Sequence, residues 1–375
     1  MGVEAVLVVW LVVLARFVVP LFIPRWPLPA ILACLVLDAA DQSIFQALGL
    51  DPPGYQSYDK AMDVHYLAIT YISTLRNWTS RAALGIGRFL FFYRLVGVLL
   101  FELFQARALL LVFPNVFEYF FIAYETFRSR WDPARRTTRS WLVLAATIWG
   151  VVKLPQEWWI HVAQLDFTDA VSEERWLVPV IGVLLVVVLR VYARAVRPRL
   201  GDPDWPRRLA ADPLPEEIDG AAERAAWLRR HGAVRSWDTL EKVVLVGLVT
   251  VIFGELLPEL RATRVELFVG VGLLVVINVA WSLGLARRAV TRESVWAVGG
   301  FRFAFNVGLA VAYEVVIGRG EDFQAAPALF FLALLTLLLV LHDRYRPVAG
   351  VRFAGPVSHD GPEGARPSPP AAPAR

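Results

Sequence analysis

The chain has 375 residues, 57% of them hydrophobic and 19% charged, with a mean hydropathy of +0.51. Its apolar residues fall in blocks of about 20, the length that crosses a hydrocarbon core, and this excludes an ordinary soluble domain. The formal net charge is only +4 and Cys34 is the sole cysteine, so an internal disulfide is excluded, and no P-loop, nucleotide fingerprint or basic tract suggests nucleic acid.

The expected fold is all-α, a polytopic membrane bundle of about eleven spans (ten to eleven). The first, Val3–Ile23, has Glu4 where a signal peptide carries Lys or Arg, so it reads as a retained span. The second, Leu28–Leu48, is apolar apart from Asp38, Asp41, Gln42 and Gln46. An ionised side chain near the bilayer centre costs roughly 2.5–3.5 kcal/mol, against roughly 0.3–0.6 gained per Leu or Val. Asp38 and Asp41 share one helix face and must face protein or water.

The third span, Ala61–Trp78, is short and polar. The stretch "YQSYDKAMDVHYLAITYISTLRNW" sets Asp59 and Asp63 four apart and continues through Tyr66, Thr70 and Asn77. A helix with such a stripe lines a cavity or packs on polar helices, away from lipid. In the fourth span, Leu84–Phe104, Arg94, Glu102 and Gln105 fall loosely on one face, and Arg107 follows in a tight turn. The fifth, Ala108–Phe127, is expected to kink at Pro114, with Glu118 and Tyr119 just beyond. The sixth, Trp141–Ile160, presents Lys153, Glu157 and His161 at four-residue steps. With the seventh, Trp176–Ala195, these spans form a front region, residues 1–197, that holds the polar site.

Residues 198–239 are expected to form a cytoplasmic loop with a short amphipathic helix over Pro215–Gly232. The last four spans, Leu240–Leu257, Val265–Leu285, Val295–Ile317 and Ala326–Leu341, carry few charges and read as scaffold (240–345). The Pro-rich tail, 346–375, reads as disordered.

Basic stretches at Arg128–Arg139, Arg197–Leu209, Ala286–Arg292 and His342–Pro347 fall on one side if the eleven spans alternate. The positive-inside rule then places the N-terminus outside and the C-terminus inside. Among 38 basic residues only Lys60, Lys153 and Lys242 are lysines, a bias that suggests a GC-rich bacterial genome and hence a bacterial plasma membrane.

The candidate ligand or ion site comprises Asp38, Asp41, Asp59, Lys60, Asp63, Arg94, Glu102, Arg107, Glu118, Lys153, Glu157 and His161, which this topology gathers toward the outer leaflet. The offsets of Asp38, Asp41, Asp59 and Asp63 resemble the aspartate spacing of the CDP-alcohol phosphotransferases, membrane enzymes whose four aspartates bind metal and activate an alcohol. Gln42 stands where that family has a glycine, Phe45 and Gln46 replace its alanine–arginine pair, and Tyr55 replaces a further glycine, so the chain is not assigned to it.

Three functions remain open. The first is a transporter or permease of an unidentified solute, its carboxylates carrying protons or binding cations. The second is a membrane enzyme acting on a phosphate-bearing lipid, with the four aspartates on a divalent metal and Lys60, Arg107 or Lys153 on the phosphate. The third is a non-catalytic partner in envelope assembly. The expected partners are the lipid bilayer, a solute or lipid, and a second copy or another membrane protein.

Overall fold

A computed structural model describes residues 3–47, 55–159, 176–256, 264–288, 295–317 and 325–353. The described chain is helical and, among these residues, contains no strand. In order the helices are α1 (Val3–Val18), α2 (Pro27–Ala47), α3 (Tyr55–Asn77), α4 (Arg81–Phe104), α5 (Ala108–Val112), α6 (Val116–Arg128), α7 (Thr138–Thr147), α8 (Leu154–Glu157), α9 (Leu177–Val191), α10 (Arg197–Leu200), α11 (Ala221–His231), α12 (Trp237–Leu256), α13 (Arg264–Arg287), α14 (Val295–Ile317) and α15 (Ala325–Phe353). Three described stretches are long and apolar enough to cross a membrane: Arg81–Phe104, Ala108–Arg128 and Val265–Arg287.

Local chemistry sets several of these ends. The Ser80 side chain accepts from the Ala83 amide at the start of α4, whose C-cap Gln105 is left-handed (φ 51°). Thr137 caps α7 in the same way through Ser140. A π-helical stretch, Ile148–Lys153, joins α7 to α8 just before Pro155.

Pro114 does more than kink its helix. The helix ends at Val112 and restarts at Val116, because proline has no N–H to donate and its ring crowds the preceding turn. Helix α4 supplies donors for the carbonyls freed by the break. The Tyr93 hydroxyl donates to the Val112 carbonyl (2.7 Å) and Arg94 Nη1 to that of Phe113 (2.9 Å). Gly97 permits this approach, since a Cβ there would lie 2.1 Å from Phe113 Cβ.

Helix α3 is central. Its residues from Ala61 to Asn77 are buried apart from Asp63, and it packs on α1, α2, α4, α6, α12 and α15. Aromatic rings fill the space around it. Tyr71 stacks on Phe91 (4.5 Å between centroids) and Trp78 on Tyr124 (4.1 Å).

The segment from Gly201 to Ile218 is a strap across one end of the bundle. Its Ala211 amide donates to the Arg25 carbonyl (2.8 Å), its Arg208 amide to that of Ser129 (2.8 Å), and Trp205 Nε1 to that of Arg128 (3.0 Å). Asp204 pairs with Arg135, which joins the basic stretches Arg128–Arg139 and Arg197–Leu209. The amphipathic helix expected over Pro215–Gly232 is shorter, Ala221–His231. It docks through Arg229 Nη1 on the Ala286 carbonyl (2.9 Å) and Trp227 against Gly350.

The last helix runs beyond its expected end at Leu341, through Pro347 to Phe353. Residues 346–353, expected in the disordered tail, therefore belong to the bundle. Burial of Val348 and Ala349 and the Arg352 bond to the Arg76 carbonyl hold them there.

Candidate functional site

Arg16, near the end of α1, reaches between α2 and α3. Its guanidinium donates to Asp38, Asp41 and Asp63, with Nη2 2.7 Å from Asp63 Oδ1. A guanidinium suits this post because its fork of five donors can serve several carboxylates at once, which a lysine ammonium does less well. The Arg16 and Asp41 side chains are 3% and 4% exposed, while those of Asp38 and Asp63 are 37% and 40% exposed. The hub thus has a closed side and an open side.

Two further contacts flank it along α3. Lys60 Nζ lies 2.9 Å from Glu102 Oε1 and 4.8 Å from the Phe101 ring centroid. Tyr66 donates its hydroxyl to Glu118 Oε1 (2.7 Å), and Asn115 Nδ2 donates to the other oxygen (2.7 Å). Lys60, Asp63 and Tyr66 are three residues apart, so the Glu102, Arg16 and Glu118 contacts form a column about 9 Å tall on one face of α3.

The remaining candidates lie apart from the column or serve other ends. Lys153 approaches Glu157 (3.7 Å), donates to Gln156 Oε1 (3.1 Å) and sits over the Tyr119 ring (4.3 Å). Arg94 is engaged by the helix break. Arg107 is exposed in the turn before α5, without an ion pair among the described residues. The Asp59 side chain and the whole of His161 lie outside the described residues.

Arg16 was not among the sequence candidates. Its only signal is a single arginine inside "VVLARFVVP", and its partners lie 22 to 47 residues away. Its position bears on the metal reading. Asp38, Asp41 and Asp63 converge on a guanidinium, and among the described residues no group of three His, Cys, Asp or Glu side chains is placed to hold a metal ion. The donor set suits an arginine clasp and does not suit a divalent cation with Arg16 in place.

The back region, expected to be scaffold, contains a cleft of about 260 Å³ beneath α11, between the ends of α12, α13, α14 and α15. Asp343 bonds Lys242 and lies 2.6 Å from Arg302, which also donates to the Ser282 hydroxyl (2.7 Å). Arg346 pairs with Asp238. Burial holds the nearby Arg224 guanidinium below the ordinary arginine value. Deeper in the helices, Asn278 donates to Asn306 (2.7 Å) and Asn306 to Thr336 (2.9 Å), a neutral ladder across α13, α14 and α15. The two regions meet where Tyr71 donates to Glu241 and Arg88 Nη2 lies 3.3 Å from the same carboxylate.

No protein-family model, curated protein or solved structure matches the chain.

Proposed function

We infer that the chain is a multi-pass protein of a bacterial plasma membrane, with eleven spans, its N-terminus outside and its C-terminus inside. In this reading it is a transporter that moves a charged solute or a coupling cation along the polar column of α3. The observation that carries the reading is the clasp of Arg16 on Asp38, Asp41 and Asp63, with two of the three carboxylates partly open. A carboxylate exposed to lipid is costly, so the open side fits a water-filled space between helices.

The clasp offers two arrangements. With Arg16 seated, α1, α2 and α3 are tied together. A cation or proton arriving at Asp38 or Asp63 competes with the guanidinium for those oxygens and releases that tie. A contact between helices that ligand binding makes or breaks is the kind of element on which alternating access runs.

In the enzyme alternative, Asp38, Asp41 and Asp63 would have to leave Arg16 to hold a metal.

Reconstituted into liposomes, the full chain should dissipate an imposed sodium or proton gradient, read with sodium-sensitive and pH-sensitive dyes. Asp38→Asn and Asp63→Asn should each slow this at least tenfold. A rate equal to that of empty liposomes for both ions would overturn the transport reading. Thiol reporters near Asp169 should react from outside, and reporters at Arg136 and Asp219 only from inside. Labelling of the Asp169 loop from the cytoplasmic side would reverse the orientation.

A further inference from the structure

The cleft beneath α11 has a composition that the transport column does not use. Among its described lining residues, five Arg or Lys side chains stand against two carboxylates, Asp238 and Asp343. His342 lines it too. That imidazole is completely buried, and neither ring nitrogen has a hydrogen-bond partner among the described residues. A buried polar group left without a partner is costly, so native proteins seldom keep one without a bound water, ion or ligand to satisfy it. One wall of the cleft is aromatic: Trp281 stacks on Phe301 (5.9 Å between centroids) and on Phe305 (5.2 Å). Trp281 and Phe301 are also partly exposed, so the cleft has an apolar side beside its charged one.

The geometry points to a binding site for a phosphate-bearing amphiphile, its phosphate held by Lys242, Arg302 and His342 and its hydrocarbon part leaving past Trp281 and Phe301. Excess positive charge selects an anion. Arginine and lysine are the side chains that recognise phosphate, and an imidazole N–H adds a donor. The volume suits a headgroup with its first carbons, while the chains lie along the apolar side. Asp343 holds Lys242 and Arg302 together and limits the excess charge, which favours one phosphate group over a polyanion. This site stands on its own observations and does not depend on the transport reading.

The test is native mass spectrometry on the full chain in detergent, titrated with dioctanoyl phosphatidic acid, dioctanoylglycerol and inorganic phosphate. Phosphatidic acid should bind at one molecule per chain and at least tenfold more tightly than either comparison. Inorganic phosphate binding as tightly would replace the amphiphile with a free anion. Dioctanoylglycerol, which has the same chains and no phosphate, binding as tightly would reduce the site to an apolar groove. The variant His342→Phe fills the same space without ring nitrogens and should weaken phosphatidic acid about tenfold, the loss of one charge-assisted hydrogen bond. A buried imidazole with a packing role alone would lose no affinity on this change, and that result would overturn the assignment. Trp281→Ala alters a partly exposed ring and leaves the charged floor in place. It should weaken phosphatidic acid severalfold, and unchanged affinity would remove the tail path.

Discussion

Helices α3 and α13 dispose of their side chains in opposite ways. Helix α3 carries Asp59, Lys60, Asp63, His65, Thr70, Ser73 and Thr74 and is closed in along most of its length. Helix α13 is strongly apolar and leaves Val265, Val269 and Leu273 in the open, each more than half exposed. In water this arrangement would run against the hydrophobic effect, at about 25 cal/mol per Å² of exposed apolar surface. In lipid the apolar face has no such cost and the polar helix must be sheltered. The contrast teaches that these two helices are sheltered according to their polar content, although most of the buried side chains in the bundle are apolar. It also separates two ways of satisfying polar groups: the Arg16 clasp joins charges across α1, α2 and α3, whereas Asn278, Asn306 and Thr336 join α13, α14 and α15 by neutral hydrogen bonds, apart from the ion pairs of the cleft.

The largest expected effect breaks the front side of this comparison. Arg16→Leu leaves Asp41 buried beside an apolar group and should destabilise the protein by about 3–5 kcal/mol, since removing one partner strands the other. Thermal unfolding followed by size-exclusion chromatography in detergent should show a much lower transition. The double variant Arg16→Leu with Asp41→Leu should recover part of the loss. A single variant as stable as the parent would mean that the clasp does not hold the helices.

The next effect tests the back side. Leu273→Asp on the open face of α13 should cost about 3 kcal/mol if that face meets lipid. On a face that meets water the same change costs almost nothing. Membrane-inserted yield compared with Leu273→Ala distinguishes the two.

A smaller effect concerns the helix break that supports the column. Gly97→Ala drives a Cβ into Phe113 and should destabilise by roughly 1–3 kcal/mol, the usual range for overpacking. Gly85→Ala on the same helix meets nothing within 4 Å and should be neutral or slightly stabilising. Equal thermal shifts for the two would refute the close approach of α4 to the break.

The smallest effect belongs to the neutral ladder. Asn306→Leu removes both of its bonds and should cost only about 0.6–1.7 kcal/mol, as interhelical hydrogen bonds in membranes do. A loss as large as that of Arg16→Leu would erase the distinction between the clasp and the ladder.

Much of this architecture was legible in the sequence, because apolar periodicity and length set where helices begin and end. The helices α2, α4, α13 and α14 lie within three residues of their expected bounds. The shared face of Asp38 and Asp41 followed from helical spacing alone. Arg16 did not, since a lone arginine near a span end usually snorkels to the interface and nothing local announces three distant carboxylates. The cleft was hidden for a similar reason. Lys242, Ser282, Arg302 and Asp343 stand on four different helices, so no single segment looks charged. The extension of α15 past Pro347 was missed because a proline usually ends a helix, whereas here the tertiary contacts of Val348, Ala349 and Arg352 override that local preference.

Transport along α3 requires that the α2 and α3 carboxylates share a water-filled space closed from lipid. The most direct measurement is thiol labelling of Asp63→Cys in a Cys34→Ser background, in intact vesicles, with a membrane-impermeant cationic reagent. Leu273→Cys serves as the lipid-facing comparison. Asp63→Cys should react from the outer aqueous phase, and Leu273→Cys should not. An Asp63→Cys that stays unlabelled from both sides, as inert as Leu273→Cys, would contradict that shared space.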